Sequence, residues 1–308
     1  MGRFQVLALD GGGTRGLFTA NVLARLESDL DFKIQDEFDL VVGTSAGGII
    51  ALCLGLGMRP SEIVDEYRRL VESVFPSAHR RARLLRGLVG PMYREKRLRE
   101  ALDETFGDAT LADSIVRLAI PAWDAESGRA QVYKTPHASD LRRDGRLRVA
   151  DVARATSAAP AYFSAAHVDG QWMLDGGIWA NNPSLVGLAE AVGVLKVPLA
   201  DVRLLNIGTM SEVKEFPTRL RSGGWAAWAP RAPGLVLRAG SKGGEGVVQL
   251  LMGKDRYVRS DVQVPDGGFG LDSAAYERIA ARAAAASRQL SPRYSAIFSG
   301  HSVAGRGF

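Results

Sequence analysis

A serine between small residues stands where an apolar strand is predicted to turn into an apolar helix. The pattern G-x-S-x-G is matched by Gly43-Thr44-Ser45-Ala46-Gly47, directly after the run Leu40–Val42. Small neighbours let the backbone bend sharply, so that the serine hydroxyl projects above the sheet edge with a helix N-terminus behind it. The pattern alone is weak in a chain with 35 glycines. Its strand-turn-helix setting favours a nucleophilic serine over a glycine-rich buried turn.

A second glycine-rich turn follows the predicted strand 4–9 and reads Asp10-Gly11-Gly12-Gly13-Thr14-Arg15-Gly16. Consecutive glycines let several backbone N–H groups point at one anion, as in a phosphate-binding loop or an oxyanion hole. It is not a Walker loop, because no Gly-Lys-Ser/Thr follows. A right-handed crossover would place this turn and the turn at Ser45 at the same carboxyl edge of a parallel sheet. We therefore favour an oxyanion hole, with the Gly12 and Gly13 amides facing Ser45 and Arg15 adding positive charge.

A serine nucleophile needs a base, and the sequence offers two arrangements. Ser45, Asp175 and His301 have the chain order of a Ser-acid-His triad, but His301 lies close to a polar, glycine-containing C-terminus. Asp175 follows the predicted strand 171–174 and precedes two glycines, which leave its carboxylate accessible. A carboxylate within hydrogen-bond reach of the hydroxyl can itself serve as the base. We therefore favour a Ser45–Asp175 pair, with a plain Asp-Gly-Gly turn as the alternative. The remaining histidines are predicted to be surface or structural residues: His79, His137 and His167.

The elements that would position these residues alternate along the chain. This alternation predicts an α/β fold with a mostly parallel central sheet flanked by helices on both faces. Strands are predicted at 4–9, 38–42, 116–122, 130–134, 171–174, 202–207 and 257–264. Helices are predicted at 17–30, 46–56, 60–74, 96–105, 149–157, 183–195 and 273–289. We expect one domain over residues 4–290, followed by a C-terminal tail at 291–308.

The composition is that of a globular protein and limits where it acts. The chain has 308 residues, of which 46% are hydrophobic and 24% charged, which argues against a disordered chain. A single cysteine, Cys53, excludes an intramolecular disulfide and favours a reducing cytoplasm. The N-terminus lacks the apolar stretch of a signal peptide. The uncharged run 40–58 is about long enough to span a bilayer, but its five glycines favour a strand and a buried helix.

Two arginine-rich stretches interrupt the alternation, and we interpret both as lid-like insertions on the one sheet. Residues 79–99 carry eight arginines and lysines against Glu95 alone, and residues 216–244 have no acidic residue. Arginine pairs with phosphates and tryptophan suits a lipid interface. These stretches could therefore dock on anionic phospholipid or hold a phosphorylated ligand, while solvated arginines beside buried leucines and tryptophans are the alternative. The candidate contact residues are Arg80, Arg81, Arg83, Trp225 and Trp228.

Four motifs together resemble those of the patatin-like phospholipases, in the same order, over about Phe4 to Leu290. They are Asp-Gly-Gly-Gly-Thr-Arg-Gly at 10–16, Gly-Thr-Ser-Ala-Gly-Gly at 43–48, Ala-Thr-Ser-Ala-Ala-Pro-Ala-Tyr-Phe at 155–163 and Asp-Gly-Gly at 175–177. The resemblance implies a Ser-Asp dyad, with Ser45 as the nucleophile and Asp175 as the base. It implies hydrolysis of a lipid ester through an acyl-enzyme, without a metal or a catalytic cofactor. The oxyanion hole that it implies consists of the amides of Gly11, Gly12 and Gly13, with Arg15 at the motif's basic position.

A narrower resemblance is to bacterial members of this family that act as effectors in cyclic-oligonucleotide antiphage defence. It rests on the N-terminal sequence Val-Leu-Ala-Leu-Asp-Gly-Gly-Gly-Thr-Arg-Gly-Leu-Phe-Thr-Ala-Asn-Val-Leu at 6–23 and on the chain length. It implies a cytoplasmic phospholipase that a cyclic dinucleotide from a cognate nucleotidyltransferase activates at the inner face of the cell membrane. No nucleic acid polymer is expected as a partner.

Activation could move a segment that covers Ser45, or it could assemble the chain into homo-oligomers. Two alternatives stay open at this point. One is a patatin-like lipase that is active without a nucleotide. The other is a cyclic-nucleotide-binding protein whose hydrolase site is vestigial.

Overall fold

Ten strands are present in the computed structural model, which describes residues 2–75, 90–139, 141–213, 218–228, 232–265 and 276–303. Eight of them form a central sheet and two form a small second sheet. The strands are β1 (Phe4–Leu9), β2 (Leu40–Gly43), β3 (Arg117–Asp124), β4 (Arg129–Lys134), β5 (Ala166–Val168), β6 (Gln171–Asp175), β7 (Val202–Ile207), β8 (Ser211–Val213), β9 (Tyr257–Ser260) and β10 (Gln263–Pro265).

The central sheet has the strand order β5-β6-β3-β2-β1-β7-β9, with β4 also paired to β3. The pairs β1–β2, β2–β3, β1–β7 and β7–β9 are parallel. The pairs β3–β4, β3–β6 and β5–β6 are antiparallel. The prediction of a mostly parallel sheet is confirmed. The predicted strand 257–264 is divided, because β9 joins the central sheet whereas β10 pairs with β8.

Helices precede and follow most strands. They are α1 (Gly16–Leu30), α2 (Ile34–Glu37), α3 (Ala46–Gly55), α4 (Pro60–Val74), α5 (Glu95–Phe106), α6 (Val149–Ser157), α7 (Gly177–Ala180), α8 (Ser184–Ala189), α9 (Trp225–Trp228), α10 (Ala232–Met252) and α11 (Tyr276–Ile297). A π-helical turn at Glu190–Val194 continues α8, and short 3₁₀ turns lie at Gly13–Arg15, Leu111–Asp113, Asp144–Arg146 and Thr218–Leu220. The long helix α10 lies where no helix was predicted.

Alternate residues of each strand pack on opposite faces of the sheet, as the pleat requires. On β1, Leu7 and Leu9 belong to the larger core cluster, which includes buried residues of α1, α3, α4, α5, α6 and α11. Val6 and Ala8 belong to the second cluster, with buried residues of α8 and α10. Apolar side chains thus cover both faces, and the predicted helices on both faces are confirmed.

The C-terminal residues belong to this core. Helix α11 continues through residue 290 to Ile297, and Tyr294 and Phe298 are fully buried. The Tyr294 hydroxyl donates a hydrogen bond to Glu37 Oε2 at 2.5 Å. A boundary at residue 290 therefore falls within a helix, and the folded unit extends beyond it.

The uncharged run 40–58 forms β2 and the buried helix α3, as expected. In the described part of the chain, no helix has both the length and the apolar character needed to cross a membrane.

Candidate active site

Ser45 lies on the turn between β2 and α3 with φ 54° and ψ −120°. This left-handed backbone costs a residue with a side chain roughly 1–3 kcal/mol, so the surrounding structure must hold it. Gly43 and Gly47 make the turn possible. A Cβ at Gly43 would lie 2.1 Å from the Gly47 carbonyl oxygen, and one at Gly47 would lie 2.2 Å from the Leu9 carbonyl oxygen. The sharp turn expected of G-x-S-x-G is therefore present, and both glycines are needed for it.

Asp175 ends β6 and is brought to Ser45 by the pairing of β6 with β3. The Ser45 hydroxyl donates a hydrogen bond to Asp175 Oδ2 at 2.7 Å. The Gly177 amide donates to Asp175 Oδ1 at 2.6 Å and fixes the other side of the carboxylate. Only 6% of Asp175 is exposed, and this burial raises its pKa to about 6, against the opposing effect of the two hydrogen bonds. The carboxylate is ionised at neutral pH and is a better proton acceptor than an exposed aspartate.

The glycine loop, residues 10–16, lies directly against Ser45. A Cβ at Gly11 would lie 3.3 Å from Ser45 Cβ, so the two turns meet as the crossover argument requires. The Gly11 amide, however, donates to the Asn181 carbonyl at 2.9 Å and is not available to a ligand. The amides of Gly12 and Gly13 donate to no group within the described residues. Of the three glycine amides predicted for an oxyanion hole, that of Gly11 is therefore occupied, and those of Gly12 and Gly13 are open to a ligand.

The carbonyl groups of this loop are all held by the protein. Thr209 Oγ1 donates to the Gly11 carbonyl at 2.9 Å, and the Arg15 amide donates to the Gly12 carbonyl at 3.1 Å. The Tyr67 hydroxyl donates to the Gly13 carbonyl at 2.8 Å. Because its acceptors are occupied and two of its donors are open, the loop is suited to bind a negatively charged oxygen.

A buried ion pair anchors the start of the loop. Arg259 on β9 contacts Asp10 Oδ2 at 2.8 Å, and Asn206 Nδ2 donates to Asp10 Oδ1 at 2.7 Å. Burial raises the pKa of Asp10 to about 6, even though Arg259 opposes the shift. Arg259 also pairs with Asp261 at 2.9 Å and lies 3.4 Å from Glu245 on α10. The C-terminal half of the chain thus reaches the base of the glycine loop.

The other predicted site residues have no hydrogen bond to Ser45 or Asp175 within the described residues, or lie outside them. Arg15 Nη1 donates to the Met210 carbonyl at 3.0 Å, so its side chain is directed to the segment after β7. Trp225 and Trp228 are the first and last residues of the short helix α9, and Trp228 is half-buried. Three predicted contact residues lie outside the described residues: Arg80, Arg81 and Arg83.

The described histidines have partners away from Ser45. His301 Nε2 lies 2.7 Å from Asp39 Oδ2, next to the first residue of β2 and so at the edge of the sheet opposite Ser45. His137 Nε2 lies 3.0 Å from Glu190, and the His167 ring lies 4.9 Å from that of Trp172. The triad with His301 is not assembled in this structure. His79 lies outside the described residues.

Several residues that shape the site carried no signal in the sequence analysis. Tyr67 is one of many polar and apolar residues on the amphipathic helix α4, and Thr209 follows β7 outside any motif. Asn181 belongs to the segment after the Asp-Gly-Gly motif. Thr156 contacts the Ser45 backbone and lies in the third motif, to which no role was assigned.

These observations define a class of protein. A serine at a strained strand-to-helix turn donates to a buried carboxylate at the carboxyl edge of an α/β sheet, beside two open glycine amides. The chain belongs to the patatin-like phospholipase family, which matches residues 7–186.

The relatives narrow the family further. A cGAMP-activated phospholipase of Escherichia coli is 40% identical over 224 residues, which are 68% of this chain and 63% of the relative. One of Pseudomonas aeruginosa is 36% identical over 270 residues, or 85% of this chain and 80% of the relative. A cUMP-AMP-activated phospholipase of Escherichia coli is 32% identical over 215 residues, or 66% and 64%. The matched part thus spans less than two thirds of both Escherichia coli proteins, and the narrower resemblance seen in the sequence is confirmed.

Among solved structures, the crystal structure of VipD from Legionella pneumophila matches 95% of this chain and 67% of its own, with a TM-score of 0.50. The identity is 15%, so this likeness bears on the fold alone.

Proposed function

We propose that the chain is a serine lipid acyl hydrolase that cleaves ester bonds of membrane phospholipids. The observation that carries this proposal is the 2.7 Å hydrogen bond from Ser45 Oγ to the buried Asp175 carboxylate. Membership of the patatin-like phospholipase family supports the substrate class.

In the first half-reaction, Ser45 Oγ bonds to the ester carbonyl carbon while Asp175 accepts the hydroxyl proton. The carbonyl electron pair moves to its oxygen, and the Gly12 and Gly13 amides stabilise the resulting negative charge. The tetrahedral intermediate then breaks its bond to the alkoxy oxygen, which takes the proton from Asp175 as it leaves. The acyl group remains on Ser45.

In the second half-reaction, Asp175 accepts a proton from a water molecule as the water oxygen bonds to the acyl carbon. Collapse of this second intermediate releases a fatty acid and returns the proton to Ser45 Oγ. One carboxylate therefore serves as base and then acid in each half. A neutral serine hydroxyl is a weak nucleophile. The hydrogen bond to Asp175, a base with a raised pKa, would activate it by accepting its proton.

The names of the relatives support the proposed control of this activity. We infer that a cyclic dinucleotide activates the chain allosterically in antiphage defence, and that the active form works at the inner face of the cell membrane. A ligand can shift an inactive state toward an active one only by its differential affinity for the two.

The test measures fatty acid release from phospholipid vesicles with and without a panel of cyclic oligonucleotides. We expect little release without a nucleotide and a steep rise with one member of the panel. Ser45→Ala and Asp175→Asn should each lower the activated rate at least about a thousandfold, since nucleophile and base act as one unit. His301→Ala is the control and should retain activity.

Three other results would each contradict a part of the proposal. Full release without a nucleotide would overturn the proposed activation and leave a constitutive lipase. Nucleotide binding without hydrolysis of any ester would identify a binding protein with a vestigial site. An inactive His301→Ala together with an active Asp175→Asn would show that the dyad is wrongly assigned.

A further inference from the structure

The third motif of the sequence, residues 155–163, has no part in the chemistry described so far. In the structure it forms the last residues of α6 and the turn that follows. Thr156 lies within it and is fully buried. A polar side chain without solvent exposure needs partners inside the protein, and those of Thr156 include the nucleophile.

The Thr156 hydroxyl links the nucleophile turn to the sheet. Its oxygen lies 2.6 Å from the carbonyl oxygen of Pro121 on β3. Because a carbonyl oxygen can only accept, the Thr156 hydroxyl is the donor in this hydrogen bond. Because the single hydroxyl hydrogen is used there, the Thr156 oxygen is the acceptor for the Ser45 amide at 2.9 Å. The direction of both hydrogen bonds is thus fixed by chemistry. The turn at Ser45 is tied through one hydroxyl group to the strand β3.

The same turn also holds the base. The Gly176 amide donates to the Thr156 carbonyl at 3.3 Å, and the Asp175 amide donates to the Ala158 carbonyl at 3.0 Å. The end of α6 therefore fixes the backbone on both sides of the Ser45–Asp175 hydrogen bond. Within the described residues, the Thr156 hydroxyl is hydrogen-bonded to the Ser45 amide and the Pro121 carbonyl and not to Ser45 Oγ or the Asp175 carboxylate, so we expect its effect to be one of position.

We propose that Thr156 is a positioning residue that sets the backbone of Ser45 and thereby aims its hydroxyl at Asp175. The inference rests on the proposed hydrolase function for its kinetic consequences. Within the described residues, the Ser45 amide has the Thr156 hydroxyl as its acceptor and no other. Ser45 holds a left-handed backbone, so loss of this acceptor leaves the N–H of a half-buried residue without its protein partner at a point where the backbone is already unfavourable.

The test compares Thr156→Val, which keeps the shape and removes both hydrogen bonds of the hydroxyl, to the Ser45 amide and to the Pro121 carbonyl, with Thr156→Ser, which keeps the hydroxyl. The substrate is a soluble short-chain ester such as p-nitrophenyl butyrate, assayed with cyclic GMP-AMP present. We expect Thr156→Val to lower kcat about 10- to 100-fold with little change in KM, because the nucleophile is displaced but the binding surface is not. Thr156→Ser should keep kcat within a few-fold of the parent.

The pH profile separates a displaced nucleophile from a changed base. In the described part of the chain, the Asp175 carboxylate is hydrogen-bonded to Ser45 and Gly177 and not to Thr156, so the pH at half-maximal kcat/KM should be the same in both variants and the parent. A shifted profile would overturn the proposed role.

Thr135→Val is the matched control. Thr135 is also fully buried and accepts a backbone hydrogen bond, from Leu118 at 2.9 Å, but it lies at the opposite edge of the sheet.

Thr135→Val should lower the melting temperature about as much as Thr156→Val while leaving kcat unchanged. If both valine variants lose activity in proportion to stability, Thr156 has only a structural role and the inference fails.

Amide hydrogen exchange makes the inference independent of activity. The Ser45 amide should exchange slowly in the parent, in Thr156→Ser and in Thr135→Val, and faster in Thr156→Val. If the parent hydrolyses no ester, the proposed function fails while this measurement still decides the role of Thr156. Slow exchange of the Ser45 amide in Thr156→Val would overturn the inference whatever the kinetics.

Discussion

Asp175 carries an electrostatic conflict that bears on both stability and activity. Asp175 is 6% exposed, and the hydrogen-bond partners of its carboxylate within the described residues, the Gly177 amide and the Ser45 hydroxyl, include no cation. Burial disfavours the charged form and raises the pKa of Asp175 to about 6. Asp10, whose pKa is raised to a similar value, differs because Arg259 pairs with it directly.

The first prediction concerns the pH dependence of the reaction. Asp175 must be ionised to accept the Ser45 proton, so protonation removes the base as the pH falls through the folded-state pKa. We expect kcat/KM to be constant above about pH 7, half-maximal near pH 6 and tenfold lower per pH unit below that. Turnover of a soluble ester from pH 4.5 to 8.5 measures this profile. A profile with half-maximal activity near pH 4 would mean that burial does not act on the base as described.

The second prediction is that Asp175→Asn stabilises the fold while abolishing activity. The folded-state pKa of about 6 exceeds the reference value of 3.8, so the folded state binds the proton more tightly than the unfolded state. Above pH 6 the parent therefore carries the full cost of the buried charge, and below about pH 4 it carries none. We expect Asp175→Asn to raise the free energy of unfolding by about 1–3 kcal/mol at pH 7.

Thermal unfolding at several pH values measures this difference. The gain should shrink steadily between pH 6 and pH 4. A gain that does not depend on pH would show that packing, and not charge, is responsible.

The third prediction tests whether Tyr67 holds the glycine loop in the shape that the proposed oxyanion hole needs. Its hydroxyl donates to the Gly13 carbonyl at 2.8 Å, and Gly13 has a left-handed φ of 55°. Tyr67→Phe removes only this hydrogen bond, so we expect kcat to fall about 3- to 10-fold with KM unchanged, since a looser amide stabilises the oxyanion less well. The cost in stability should be about 1 kcal/mol.

Tyr133→Phe is the control for this measurement. Tyr133 is also buried, at 3% exposure, but its hydroxyl has no hydrogen-bond partner in the part of the chain that the structure describes. Its removal should leave kcat unchanged and should not destabilise the fold. Equal kinetic losses in the two variants would contradict a specific role for Tyr67.

At this scale the sequence predicted some site residues and missed others for a physical reason. Ser45 and Asp175 could be proposed because each lies in a short motif at the end of a predicted strand. That the two meet depends on the antiparallel pairing of β6 with β3, which aligns Asp175 with Ala122 and which a parallel topology does not predict. That the Gly11 amide is occupied depends on the carbonyl of Asn181, which is 170 positions away in the chain. No local pattern encodes such a contact, so the loop could be predicted but not which of its amides are open.

Among the elements, those with a clear periodicity were predicted most closely. Strand β1 and helices α4 and α6 have the predicted bounds. Helix α10 was missed because Gly240, Gly243, Gly244 and Gly246 lie within it, and glycine disfavours a helix by about 1 kcal/mol each. Packing stabilises it instead. Val248 and Met252 are buried in the second core cluster.

The fourth prediction contrasts glycines that the fold requires with glycines that it tolerates. A Cβ at Gly243 or Gly246 of α10 has nothing within 4 Å. The double variant Gly243→Ala and Gly246→Ala should therefore raise the free energy of unfolding by about 0.5–1 kcal/mol per site. Gly47→Ala would place a Cβ 2.2 Å from the Leu9 carbonyl oxygen, so it should destabilise the fold by about 3 kcal/mol or more.

Denaturant unfolding of the variants measures both effects. A destabilised double variant would show that α10 is held in a geometry that alanine cannot adopt. A stable Gly47→Ala would show that the turn at Ser45 can relax.

For the whole molecule, the candidate active site and the C-terminal segment lie at opposite edges of the central sheet. The turns at Ser45, Asp10 and Asp175 lie at one edge, at the ends of β2, β1 and β6. The C-terminal segment is tied to the opposite edge, where Gln5 Nε2 donates to the Phe298 carbonyl at 2.9 Å and His301 contacts Asp39. The proposed phospholipid substrate would therefore have to reach the first edge, so we expect the proposed membrane-contacting residues on that side.

The last prediction concerns this docking. We propose that the arginines at 80, 81 and 83 contact anionic headgroups, because the stretch that contains them has eight cationic residues and one acidic residue. A cationic side chain near an anionic membrane contributes about 1 kcal/mol, so Arg80→Gln, Arg81→Gln and Arg83→Gln together should weaken binding to anionic vesicles about 10- to 100-fold. Added salt should reduce the difference, since screening shortens the reach of these charges to about 10 Å at 0.1 M. Turnover of a soluble ester should stay within about twofold of the parent.

The matched control removes the same charge from exposed arginines of α1 and α11, with Arg25→Gln, Arg288→Gln and Arg293→Gln, and should bind vesicles nearly as well as the parent. Equal weakening in the two triple variants would mean that net charge alone attracts the protein to the bilayer, and parallel losses on vesicles and soluble ester would point to a folding defect; either result would refute the proposed docking site.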